Sequence, residues 1–390
     1  MKKALALAAS GAIAASLALA LLAGADDGKS NLRSGDDGPL TMAVYGDAPY
    51  GATATDTSQT LATPAFIDAV NSDKRVKLVL HVGDIHSGKQ LCTFGYDNTV
   101  YDLWTQFKDP LIYTPGDNEW ADCHKAAEGG NAKDAAGKYV DYANGDPVAN
   151  LGLIRQIFFN EPGRSLGDNQ KKVVTQAQAF DPAHPDDAQY VENVMWEQSN
   201  VLFVTVNIPG GSNNDADVWY GAATASGEQT QEADLRTAAD LRWLDAAFAQ
   251  ATADHVAGVV IQSQADMWDI DGKSPAHLTN YEPFVQNVAS HTADFGKPVL
   301  MFNGDSHVFR SENPLVQGAP CLTESGASTV ACSTDDWTSH PTYNVPNFHR
   351  IVVHGSTTPL EYLRVTIDAR HPSAAGPNSF GPFSWERVQP

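Results

Sequence analysis

The chain has 390 residues, 42% of them hydrophobic and 9% aromatic, which excludes whole-chain disorder and allows a sizeable core. Its four cysteines are too few for a disulfide-stapled miniprotein. With 25 Lys and Arg against 47 Asp and Glu, the formal charge is −22, a field that repels phosphate backbones and anionic lipid and excludes nucleic acid as a stable partner.

Lys2 and Lys3 precede an Ala/Leu-rich run from Ala4 to Ala23, and Ala23-Gly24-Ala25 supplies the small residues that a signal peptidase reads. Residues 1–25 are therefore expected to be a cleaved secretory signal. An uncleaved anchor is the rival reading, because the run is long enough to span a bilayer; Ser10, Gly11, Ser16 and the alanine content weigh against it. Ala25 stands where a lipoprotein would need cysteine. The expectation is an exported protein, periplasmic or secreted, with no membrane association after cleavage. An oxidising compartment favours disulfides. Cys321 and Cys332 are close enough in sequence to close a small loop, leaving Cys92 and Cys123 as the other pair.

Residues 26–39, rich in Asp, Gly and Ser, read as a flexible linker. From Leu40 short apolar runs predict strands at Thr41 to Tyr45, Leu78 to Val82, Leu111 to Thr114, Val201 to Asn207, Gly258 to Gln262, Pro298 to Asn303, His349 to Val353 and Tyr362 to Ile367. Helical patterns lie between several of them, at Thr63 to Ser72, Tyr96 to Phe107, Glu232 to Ala251 and Tyr281 to Ala293. The alternation predicts one α/β domain over residues 40–390. Residues 121–190, rich in Ala, Gly, Asp and Lys apart from a short helical piece at Leu151 to Phe159, read as an insertion.

Four predicted strands end in the same dipeptide: Gly46-Asp47, Gly83-Asp84, Gly116-Asp117 and Gly304-Asp305. The chain holds seven Gly-Asp dipeptides where its composition gives about three by chance. Ligands of open α/β sheets bind beyond the carboxyl ends of the strands, so these aspartates can converge. A single Asp at such a junction is most simply a helix cap. Four carboxylates in one crevice would repel one another strongly or take up protons, and a divalent cation resolves that conflict.

The ordered series GDAPY (Gly46 to Tyr50), GDIHSG (Gly83 to Gly88), GDNEW (Gly116 to Trp120), IQSQAD (Ile261 to Asp266) and GDSH (Gly304 to His307) resembles the five blocks of the calcineurin-like metallophosphoesterase superfamily, over about residues 41 to 310. It is most similar to an exported bacterial branch with GDNEW in the third block. The resemblance implies a four-layer α/β/β/α sandwich of two mixed sheets flanked by helices. It also implies two divalent metal ions. Asp47, Asp84 and His307 would hold one, and Asp84, Asp117, Gln264 and Asp305 the other, with Gln262 as an alternative to Gln264. Such oxygen-rich donors favour Mn²⁺ or Mg²⁺, with Ca²⁺ next.

Two departures from the family pattern stand out. Pro49 occupies the place of a first-block histidine ligand, which Tyr50 or His86 would have to replace. Asn118 stands where the family has a histidine that assists the phosphoryl group, and an amide cannot supply a proton. His86, His124 and Asp266 are the nearby candidates for that acid. A Cys92–Cys123 bridge would tie together two ligand-bearing loops, and Trp120 and Gly210 to Asn214 could line the crevice. There is no GxSxG elbow, Walker loop or GxGxxG after a strand.

The expected activity is hydrolysis of a phosphomonoester or phosphodiester, a small phosphorylated substrate, by metal-activated water. The alternative is a catalytically degenerate relative serving as a cell-envelope or ligand-binding module.

Overall fold

The computed structural model describes residues 32, 38–214, 217–269, 275–323, 330–331, 340–373 and 376–390. The expected signal segment and Cys332 lie outside these residues. Among the described residues, no helix is long and apolar enough to cross a membrane.

Two mixed sheets form the centre. The first has six strands in the order β14-β15-β13-β1-β2-β3, the second nine in the order β11-β10-β9-β12-β8-β7-β6-β5-β4. In the first sheet, β1 (Leu40–Tyr45), β2 (Val76–His81) and β3 (Leu111–Tyr113) run parallel, and β13 (Tyr362–Ile367) lies antiparallel on the free edge of β1. β15 (Phe383–Val388) and β14 (Ser379–Phe380) complete that side. In the second sheet, β6 (Val201–Thr205), β7 (Gly258–Gln262), β8 (Val299–Asn303) and β12 (Phe348–Val352) are parallel. β5 (Val194–Gln198) and β4 (Val174–Thr175) extend one edge, and β9 (Arg310–Glu312), β10 (Pro320–Thr323) and β11 (Val330–Ala331) the other.

The strands read as continuous apolar runs because both faces are buried. Met42, Val44, Leu78 and Leu80 of the first sheet meet Phe203, Val260, Leu300 and Phe302 of the second in a core between the sheets. The alternate residues face outward. Ala43, Tyr45 and Val79 pack against helices α1 (Ser58–Ser72), α2 (Phe94–Trp104) and α3 (Pro147–Phe158). Leu202, Val204, Val259 and Met301 pack against α4 (Gly227–Ala253) and α5 (Glu282–Phe295). On α1 the buried Thr63, Phe66, Ile67 and Val70 fall at helical spacing. On α4 the Ser226 side chain caps the start by accepting the Gln229 N–H, and Gly296 in a left-handed conformation ends α5. The result is the four-layer sandwich, helices on sheet on sheet on helices.

Some expectations are corrected. Leu32, placed by sequence in a flexible linker, is buried in the outer core beside α4 and α5, and its carbonyl accepts the Glu197 N–H at 2.9 Å. It is an apolar side chain in a polar stretch, and burial draws it in. The helical piece expected within the segment read as an insertion is α3, whose Leu153, Ile154, Ile157 and Phe158 complete the outer core of the first sheet.

Candidate metal centre

The parallel strands β1, β2, β3, β7 and β8 all end on the same side, and the turns that follow meet there. Backbone bonds lock the turns together: Asp47 N–H to Gly83 O (2.9 Å), Ala48 N–H to Asp84 O (3.0 Å) and Gly304 N–H to Gln264 O (3.0 Å). The Asp305 N–H donates to Asp47 Oδ1 at 2.9 Å, joining the two sheets. Asp47, Asp84, Asp305 and His307 all have positive φ, between 50° and 73°. Such backbone is strained for residues with a side chain and concentrates at functional sites. Two glycines make the crowding possible. A Cβ on Gly116 would fall 1.9 Å from Asp84 Oδ1, and one on Gly304 would fall 2.4 Å from Asp47 Oδ2.

Asp47, Asp84 and His307 offer ligand atoms that all lie within 4.8 Å of one another, and His307 Nε2 is 3.5 Å from Asp47 Oδ1. Asp47 is fully buried, yet its Oδ2 has no hydrogen-bond partner. A buried carboxylate oxygen left unpaired beside an imidazole fits a cation that would complete it. Burial raises the Asp47 pKa to about 6 against the opposing pull of His307. Burial, then the charges of Asp117, Glu119 and Asp47, push Asp84 well above the usual carboxylate range. These residues are held ready for positive charge.

Tyr50 fills the middle of the centre. Its hydroxyl donates to Asp84 Oδ2 at 2.7 Å, accepts from Asn118 Nδ2 at 3.0 Å and lies 3.2 Å from His307 Nε2. Of the two replacements considered for the first-block histidine, Tyr50 therefore reaches the site. His86 does not. Its ring is fully buried, with Nδ1 3.3 Å from Ser87 O and Nε2 3.7 Å from Cys92 Sγ, and burial lowers its pKa to about 4. The expected catalytic role of His86 is thus corrected: the loop turns its ring toward the disulfide.

Asn118 faces the carboxylates as a donor, its Nδ2 also 3.2 Å from Asp84 Oδ2. It lines a cavity of about 620 Å³ together with Tyr50, Asp84, Asp117, Asp122, Asp305, His307 and Lys89. The other acid candidates lie elsewhere. Asp266 is paired with the buried Arg350. His124 accepts the Tyr220 N–H at 3.0 Å and lines a separate cavity of about 530 Å³. Trp120 is fully buried with Ala121 and Leu151, a core residue rather than a crevice wall.

The second expected donor set is corrected at Gln264. Its Oε1 accepts the Gly210 N–H at 2.6 Å, so its amide nitrogen is what points to Asp117 Oδ1 (2.8 Å) and Asp84 Oδ2 (3.2 Å). An N–H donor cannot ligate a cation, and this set does not fit an ion. Gln262 is further away, donating to the His81 carbonyl at 2.7 Å. Asp305 lines the cavity while its Oδ2 accepts the Asp266 N–H at 3.1 Å. Asp122, which sequence reading passed over, reaches the cavity because Asp122 N–H bonds back to Asp117 O at 2.9 Å.

Cys92 and Cys123 are joined in a disulfide, with Cα atoms 5.8 Å apart. Cys321 is also disulfide-bonded.

Residues 46–237 match the family model for the calcineurin-like phosphoesterases, a stretch that holds Asp47, Asp84, Asp117 and Asn118 but ends before Gln264, Asp305 and His307. No curated protein matches the chain. Among solved structures, purple acid phosphatase PPD1 from seeds of yellow lupin (Lupinus luteus) is similar at 11% identity and a TM-score of 0.39, over 86% of this chain and 50% of that one. The chain thus spans about half the length of that structure. Residues 46–237, about half of the chain, thus carry a calcineurin-like phosphoesterase domain.

Proposed function

We propose that the protein is an exported, metal-dependent phosphoesterase that hydrolyses a small phosphomonoester or phosphodiester in the cavity walled by Asp84, Asn118 and His307. The observation that carries this reading is the convergence of Asp47, Asp84 and His307 around an unpaired, buried carboxylate oxygen. A divalent ion held by Asp47, Asp84 and His307 would supply Lewis-acid charge to a phosphoryl oxygen and lower the pKa of water toward neutral. Mn²⁺ or Mg²⁺, with Ca²⁺ next, suits a set made mostly of oxygen donors.

The chain's own residues do the rest. Asp47 and Asp84 hold the charge in place. Asn118 Nδ2, on the cavity wall, donates to Tyr50 Oη and Asp84 Oδ2 and so holds both in place beside the substrate space. Tyr50 keeps its proton, because burial and the Asp84 charge raise its pKa far above neutral, and so remains a donor to Asp84. Lys89, on the exposed rim, adds positive charge where an anionic substrate enters. Export is supported by the signal-like sequence at residues 1–25 and by the Cys92–Cys123 disulfide.

A second reading, a binding protein without turnover, is favoured by one observation: none of His86, His124 and Asp266 lines the cavity. The test is metal analysis of the purified protein with hydrolysis of mono- and bis-nitrophenyl phosphate under added Mn²⁺, Mg²⁺, Ca²⁺ and Zn²⁺, beside Asp84→Ala. Metal-stimulated hydrolysis that Asp84→Ala abolishes is expected. No hydrolysis with any metal, or hydrolysis unchanged in Asp84→Ala, sinks the enzyme reading.

A further inference from the structure

We infer that this centre takes one divalent ion, at Asp47, Asp84 and His307, and that the Gln264 amide occupies the place of a second. The inference rests on the metal-dependent reading of the site and narrows it. Two carboxylates, Asp84 and Asp117, face each other on the far side of the centre and need compensation. Gln264 Nε2 provides it, donating to Asp117 Oδ1 at 2.8 Å and to Asp84 Oδ2 at 3.2 Å.

The orientation of the amide is fixed by chemistry. Gly210 N–H can only donate, so the Gln264 atom 2.6 Å from it must be the oxygen. Turning the amide would aim its oxygen at two carboxylates and its NH₂ at an N–H, breaking three hydrogen bonds and creating repulsion in a buried site.

Neither partner is free to move away. Gln264 is held at its own carbonyl by Gly304 N–H. Gly210 lies so close to Asp117 that a Cβ would fall 2.3 Å from Asp117 Oδ2. It leads into a left-handed turn at Gly211 to Asn214, which Arg236 pins through Asn213 Oδ1 at 2.5 Å and Asn213 O at 3.0 Å. A resident cation adds to this: Lys125 bridges Asp122 and Asp217 at 2.6 and 2.7 Å, and Asp117 is among the charges it feels. Asp117 is therefore already stabilised, by a hydrogen bond from the amide and by the field of a nearby ammonium group.

The test is metal stoichiometry rather than turnover. The full chain, freed of metal by a chelator and titrated with Mn²⁺ alone, is expected to bind one ion, read by elemental analysis and by the six-line paramagnetic resonance signal of an isolated Mn²⁺. Two tightly bound ions, or an exchange-coupled signal, would overturn the inference. No bound ion in the wild-type chain would overturn both it and the metal-dependent reading on which it rests. Gln264→Glu keeps the shape and the Gly210 bond but replaces the NH₂ with an acceptor, and is expected to take up a second ion. A folded Gln264→Glu that still binds one ion would show that something other than the amide closes the position. Should that variant fail to fold, the wild-type resonance signal decides alone.

Discussion

The Cys92–Cys123 disulfide lies directly against Asn118, whose carbonyl oxygen is 3.4 Å from one sulfur and 3.6 Å from the other. It ties the loop that follows Asp84 to the loop that follows Asp117, across a sequence separation of 31. Closing a loop of that length stabilises by roughly 3–4 kcal/mol in the chain-entropy account. A Cys92→Ser/Cys123→Ser double variant is expected to lose about that much in urea unfolding, and to lose hydrolysis at temperatures where it remains folded. Full activity in the folded double variant would show that the bridge serves stability alone.

Tyr50→Phe removes the donor to Asp84 and the acceptor of the Asn118 amide while leaving the ring in place. Loss of about 1 kcal/mol in stability is expected for the missing hydrogen bond. If the same interaction supports turnover, kcat/KM falls by about fivefold. Thermal melts and steady-state kinetics on nitrophenyl phosphates measure the two effects separately.

Protons and metal compete for the same carboxylates. Burial lifts Asp47 from 3.8 to about 6 and Glu119 from 4.5 to about 7, and it lifts Asp84 as well. A carboxyl with a raised folded pKa binds more protons folded than unfolded, so the metal-free protein loses stability as pH rises from about 4 to about 7. A cation needs the deprotonated groups, so its stabilisation grows over that window. The difference in Tm between Mn²⁺-loaded and chelated protein should therefore widen steadily with pH. A difference that stays constant would contradict the assignment of Asp47 and Asp84 to the ion.

Gly304→Ala tests the closeness of the two sheets. Its added methyl would sit 2.4 Å from Asp47 Oδ2, where backbone and a buried carboxylate leave no room. The expected result is loss of Mn²⁺ binding in calorimetry, even in preparations that retain native circular dichroism.

Much of this centre was legible because apolar runs followed by Gly-Asp mark strand ends, and parallel strands bring their ends to one side. That logic places Asp47, Asp84, Asp117 and Asp305 without any coordinate. It does not reach the orientation of a side chain in a loop, where no periodicity operates. His86 follows Asp84 by two residues yet turns toward the disulfide and away from the cavity. Gln264 arrives at the expected place with its amide reversed, because the group that orients it, Gly210 N–H, lies far away in sequence. Asp122 was missed for a similar reason, since a tight turn, not a strand end, delivers it. Strands β5, β9 and β15 carry Glu197, Arg310, Glu312, Glu386 and Arg387, which interrupt the apolar run that gave the others away.

β1 pairs on one side with β2, its near neighbour in sequence, and on the other with β13, where Leu40 lies opposite Ile367. During synthesis the ligand-bearing strands β1 and β2 are thus made long before the strand that covers their exposed edge. An uncovered apolar edge is a template for wrong pairing, and closing so long a loop is slow. Completion of the first sheet must wait for the last part of the chain to appear. A chain cut short before Tyr362 would keep every aspartate of the centre and lose β13, β15 and β14, the half of the first sheet that covers the edge of β1.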